Sequence, residues 1–176
     1  MQEDDGYGTP TPLPGAVSIS LEQQGEITPF YADGIVYYKS ASNGGYEGDL
    51  EMALITDDFR KNVLGEEEDG KKVLIENINA QGKTFALGLQ IDGDVKPTLF
   101  WFYNCTATRP NVESETTEDT KEPGTETVTI SCASNEDGDV RAKTTDNTDD
   151  ATRSSWFKSV YEKQPATQAD GGTGRS

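Results

Sequence analysis

Thr84-Phe85-Ala86-Leu87-Gly88-Leu89-Gln90-Ile91, followed by Asp92-Gly93-Asp94-Val95-Lys96-Pro97 and then Thr98-Leu99-Phe100-Trp101-Phe102-Tyr103-Asn104-Cys105, is the stretch on which the fold turns. Phe85, Leu87, Leu89 and Ile91 alternate with Thr84, Ala86, Gly88 and Gln90, the two-residue period of a half-buried strand. Asp92-Gly93-Asp94 supplies turn chemistry, because Gly tolerates positive φ and Asp hydrogen-bonds its own backbone. The second limb differs. Leu99 to Tyr103 is apolar on both faces, so both faces need a cover. One is expected from the core of the domain, and a second copy of the chain is a candidate for the other.

Working outward toward the N-terminus, Tyr46 to Ile55 reads as a strand with Leu50, Met52 and Leu54 on one face and Glu47, Asp49 and Glu51 on the other. Ile35 to Tyr38 is β-prone. Val17, Ile19 and Leu21 alternate with Ser18 and Ser20, a further strand. Residues 1–14, with Gly6, Gly8, Pro10, Pro12 and Pro14, predict a flexible arm. Between the strands, Thr56-Asp57-Asp58 opens a short helix with Phe59, Val63 and Leu64 as its apolar stripe and Gly65 as its stop. Lys72 to Ile78 is expected as a strand with Val73 and Ile75 on one face.

Toward the C-terminus, Asn111 to Gly124 is a long loop rich in Glu, Thr and Ser. Val128, Ile130 and Cys132 then alternate with Thr127, Thr129 and Ser131, and Val140 to Lys143 can add a short strand. Thr148 or Asp149 is placed to cap a helix running to about Tyr161 that buries Trp156, Phe157 and Val160. Residues 163–176 are small, polar and Gly-rich and are expected to be a disordered tail. The domain proper is therefore 15–162. Its class is mainly β: an antiparallel β-sandwich with one or two short flanking α-helices and long loops.

Composition narrows the function. The 176 residues carry 32 acids against 15 bases, a net charge of −17, and this surface repels nucleic acid and anionic membranes. There is no histidine, which removes Ser-His-Asp and Cys-His catalysis and the commonest zinc ligand. Cys105 and Cys132 are too few for a Cys₄ site; each lies in an expected strand, and buried free thiols are favoured over a disulfide. The acidic start Met1-Gln2-Glu3-Asp4-Asp5 is unlike a signal peptide. None of the acidic clusters keeps the spacing of a calcium loop. No cofactor, metal or catalytic residue is assigned, and the chain is read as a non-enzyme.

What remains is surface. Phe30, Tyr31, Tyr37, Tyr38, Tyr46, Phe100 and Phe102 exceed what a small sandwich obviously needs, and they are the candidates for a subunit interface. Glu47, Asp49 and Glu51 are either an ordinary solvated face or the wall of an acidic channel.

The run Phe100-Trp101-Phe102-Tyr103-Asn104-Cys105-Thr106-Ala107-Thr108-Arg109-Pro110 resembles the signature stretch of the major tail proteins of long, non-contractile-tailed bacteriophages and their prophages. Pro14-Gly15-Ala16-Val17, Pro29-Phe30-Tyr31-Ala32-Asp33, Gly45-Tyr46-Glu47-Gly48-Asp49-Leu50-Glu51, Phe85-Ala86-Leu87-Gly88, Ala142-Lys143-Thr144-Thr145 and Trp156-Phe157-Lys158-Ser159-Val160-Tyr161 follow the same family in order. The resemblance spans about Pro14 to Tyr161. It implies a tail-tube subunit of the virion, assembled in the host cytoplasm. Hexameric rings would join their sheets into an inner barrel and stack into a tube. The partners implied are other copies, other tail proteins, and genomic DNA that passes without specific binding; no membrane is implied. Glu47, Asp49 and Glu51 would face the lumen. The alternative is a non-catalytic carbohydrate- or protein-binding β-sandwich module that uses the same aromatics as a platform.

Overall fold

In chain order the strands are β1 (Gln2–Glu3), β2 (Gly6–Tyr7), β3 (Ala16–Gln24), β4 (Ile27–Ala32), β5 (Ile35–Ala41), β6 (Gly45–Met52), β7 (Glu67–Glu68), β8 (Leu74–Ile75), β9 (Phe85–Ile91), β10 (Thr98–Ala107), β11 (Glu126–Cys132) and β12 (Arg141–Lys143). Two helices, α1 (Asp57–Phe59, continued by a π-type turn over Arg60–Leu64) and α2 (Asp150–Ser155), complete the set. The computed structural model describes residues 2–3, 6–32, 35–93, 96–112 and 124–164, and for 2–3 and 27–41 the backbone alone. Most of the Asn111–Gly124 loop and of the expected tail lies outside the described residues. The class is the expected one, mainly β and antiparallel, built around one curled six-stranded sheet with three two-stranded ribbons and two short helices.

Strand β10 organises the sheet. Along one side it pairs with β9, from Thr98↔Ile91 to Cys105↔Phe85. Along the other it pairs first with β12, through Phe100, Trp101 and Phe102, and then with β11, through Cys105, Thr106 and Ala107. The change of partner falls at Asn104, where φ is +45° and the register on β9 shifts. Asn accepts the left-handed region better than most residues, and a bulge bends and twists its strand. The Asn104 side chain donates to the Ser134 carbonyl at 2.9 Å, which holds the bend. From β11 the sheet continues to β6 and ends at β3.

Both faces of β10 are buried, and the chain itself covers both. On the inner face Phe100, Phe102 and Cys105 join Leu50, Met52, Phe85, Leu87, Val128, Ile130 and Cys132, closed by Phe59, Val63 and Leu64 from the helical turn. On the outer face Leu99, Trp101 and Tyr103 join Trp156, with Tyr7, Val160 and Tyr161 packed alongside. The expectation that a second copy covers this face is corrected: the C-terminal segment does so. Trp101 Nε1 donates to the Trp156 carbonyl at 3.0 Å and Tyr103 Oη to the Tyr161 carbonyl at 2.6 Å. Trp156 and Tyr161 stack with centroids 4.9 Å apart. Burying each such ring favours folding by about 1.5–3 kcal/mol. Residues 6–14, expected as a free arm, instead place Tyr7 against the Tyr103 ring and Leu13 against the inner core.

Two further expectations are revised. The helix expected to reach Tyr161 stops at Ser155, because the Trp156 carbonyl accepts the Trp101 indole N–H, and Phe157 is left 43% exposed. Asp149 caps its start, accepting from the Thr152 amide at 2.8 Å. The strand expected over Lys72–Ile78 shrinks to Leu74–Ile75, paired among the described residues with Glu67–Glu68 alone. There the Asp69 carboxylate accepts from the Lys71 and Val73 amides and Lys72 sits at φ +67°, so the chain folds back tightly. Val73, Ile75 and Ile78 are consequently exposed rather than half-buried.

Candidate functional site: the polar face of the sheet

Strand β6 carries Leu50 and Met52 into the core, so period-2 geometry sends Glu47, Asp49 and Glu51 to the opposite side. Register places β3 on one flank, with Ser18 opposite Glu51, Ser20 opposite Asp49 and Glu22 opposite Glu47. On the other flank β11 sets Thr127 opposite Glu51, Thr129 opposite Asp49 and Ser131 opposite Glu47. Thr106 of β10 continues the row beside Ser131. The result is a sheet face of hydroxyls around a central column of carboxylates.

Hydrogen bonds knit this face. Glu51 accepts from Thr125 Oγ1 at 2.7 Å and from Ser18 Oγ at 2.9 Å, and Asp49 accepts from Thr129 Oγ1 at 2.8 Å. The Thr125 hydroxyl first, and then that of Ser18, hold the Glu51 carboxyl below the ordinary range. Among the described residues none of Glu22, Glu47, Asp49 and Glu51 has a basic partner. Glu22 and Glu47 face each other as like charges, which is tolerable only where water solvates both. Gly48 sits in mid-column, where an added Cβ would collide with the Ser20 carbonyl; its lack of a side chain lets β3 lie close.

This arrangement presents negative charge and hydrogen-bond acceptors to whatever passes over it. Among the described residues no group of His, Cys, Asp or Glu could hold a metal ion. The face ends at β3, which among the described residues has a strand on its β6 side only. Beyond β3 the chain continues into the β4–β5 hairpin. The Ser42 amide bonds the Glu26 carbonyl at 3.0 Å and the Gly44 amide bonds that of Gln24 at 2.7 Å, so β4 and β5 prolong the β3–β6 ribbon and pair with each other.

The other candidates are placed as follows. Phe100 and Phe102 are 9% and 5% exposed inside the chain's own core, so they offer nothing to a neighbour. Tyr46 is part-buried, edge-on to Phe102 at 5.2 Å with the Arg141 guanidinium 5.2 Å above its ring. Phe30, Tyr31, Tyr37 and Tyr38 belong to β4 and β5, and their side chains lie outside the described residues. The serines and threonines that complete the face were not singled out from sequence. Their alternation was legible, but not that β3 and β11 flank β6. A cavity of about 440 Å³ lies elsewhere, between residues 7–13, α1, β9 and the C-terminal segment. Its lining is largely apolar, with Asp58 as its one carboxylate among the described residues. No protein-family model, curated protein or solved structure matches the chain.

Proposed function

We propose that the chain is a structural, non-catalytic protein: a tail-tube subunit whose copies form hexameric rings that stack into a conduit for DNA in a virion. The observation that carries this reading is the continuous face of carboxylates and hydroxyls running to the β3 edge, which has no partner among the described residues. A neighbouring sheet can add to β3 at the usual spacing of about 4.8 Å, prolonging the polar face without burying a charge. Closed into a ring, that face becomes a lumen. Carboxylates there repel the DNA backbone across a screening length of ~8 Å, which keeps a moving genome from sticking. The resemblance of the Phe100–Pro110 stretch to phage major tail proteins supports the same reading. The alternative, a carbohydrate- or protein-binding module with the aromatics as its platform, loses the Phe100 to Tyr103 run, which is in the interior.

Negative-stain electron microscopy of the concentrated protein tests the proposal. Rings or tubes are expected, and a field of isolated protomers at every concentration would count against it. Changing Glu47, Asp49 and Glu51 together to Lys should leave tubes intact but slow DNA ejection from particles that carry the variant. Unchanged ejection kinetics would take these three residues out of the lumen.

A further inference from the structure

We propose that Cys105 and Cys132 are a latent cross-strand cystine, which a small oxidant closes within the folded chain so that β10 is covalently fastened to β11. The two residues are direct partners in the antiparallel register. The Ala133 amide bonds the Asn104 carbonyl at 3.2 Å and the Thr108 amide bonds that of Thr129 at 2.9 Å. These bonds make 104/133 and 108/129 the hydrogen-bonded pairs, so 105/132 is a non-hydrogen-bonded pair, the kind that brings side chains closest. The sulfurs are 2.9 Å apart, and both side chains point into the inner core. Forming a bond of about 2.05 Å asks them to approach by less than about 1 Å. The chain has no other cysteine, so no competing internal pairing exists.

The sequence argument favoured inert buried thiols, and burial alone does make thiols inert. The pairing alters that. Cys105 donates a hydrogen bond to Cys132, which together with burial pushes the Cys105 thiol up, while the same hydrogen bond lowers Cys132. The first thiolate therefore forms at Cys132. Both residues are almost fully buried, so the oxidant must be neutral and water-sized, and hydrogen peroxide meets that description. The Cys132 thiolate attacks one peroxide oxygen, the O–O bond breaks and hydroxide leaves, giving a sulfenic acid. Cys105 gives its proton to that hydroxide and attacks the Cys132 sulfur. The S–O bond breaks and the second hydroxide leaves as water, with the proton first lost by Cys132. In sum two thiols and one peroxide become one disulfide and two waters, and two electrons pass from sulfur to oxygen. This inference does not rest on the tail-tube reading.

The test treats the whole folded chain with hydrogen peroxide, quenches with catalase, and then alkylates in denaturant. The expected result is loss of both reactive thiols, a proteolytic fragment joining Cys105 to Cys132, and a denaturation midpoint that rises on oxidation and falls back with a dithiol reductant. Full alkylation of both cysteines after treatment would overturn the proposal. So would a sulfinic or sulfonic acid on one cysteine without the linked fragment, or a disulfide found only between chains.

Discussion

Gly88 faces Trp101 directly across the β9–β10 ladder, and a Cβ built there meets the indole at 2.7 Å. The indole has little freedom to retreat, because its N–H is held by the Trp156 carbonyl. Gly88→Ala should therefore cost about 1–3 kcal/mol in urea unfolding, as overpacking does. Glu51 makes a prediction about pH. Its carboxyl is depressed from an ordinary value of 4.5 in the folded chain. A depressed acid contributes stability that is present above the unfolded value and is lost as pH falls through the lower folded one. The denaturation midpoint of the native chain should thus drop more than that of Glu51→Gln over that acidic interval, and a parallel fall would show that the Thr125 and Ser18 bonds contribute nothing. At this scale the sequence told which residues alternate, but not whom they face. Nothing in it says that Thr125, seventy-odd positions away, meets Glu51.

Elements were legible where pattern was strong. The β9–β10 hairpin, the alternation in β3, β6 and β11, the Thr56 cap and the Gly65 stop of α1 all follow from local chemistry. The misses came from competition for a carbonyl or an amide. α2 ends early because Trp101 claims the Trp156 carbonyl, and the 72–78 strand fails because the Asp69 carboxylate gathers two amides. The C-terminal segment thereby becomes the lid of the outer layer. Trp156→Ala removes its largest ring and should destabilise the chain by about 3–5 kcal/mol, read in urea, with a rise in binding of an apolar dye as Trp101 and Tyr103 are uncovered. Thr56→Ala removes the acceptor of the Phe59 amide and should cost about 1 kcal/mol.

For the whole molecule the net charge of −17 sets the terms of association. Copies repel at low salt, and screening shortens the reach of that repulsion. Any rings or tubes should therefore form at lower protein concentration as salt rises from millimolar to physiological strength, which light scattering can follow. The reverse trend would point to attraction between opposite charges as the force holding the copies. The acidic composition was visible in the sequence. That four of these carboxylates, Glu22, Glu47, Asp49 and Glu51, share one face beside a strand edge left open among the described residues required the strand order, which no periodicity reveals.

Strand β10 is a party wall. The tryptophans Trp101 and Trp156 lodge on one side of it, and the thiols Cys105 and Cys132 on the other. Neither compartment can stand once the wall is down, so indole fluorescence and cysteine labelling, reading opposite rooms, should collapse at one shared urea concentration.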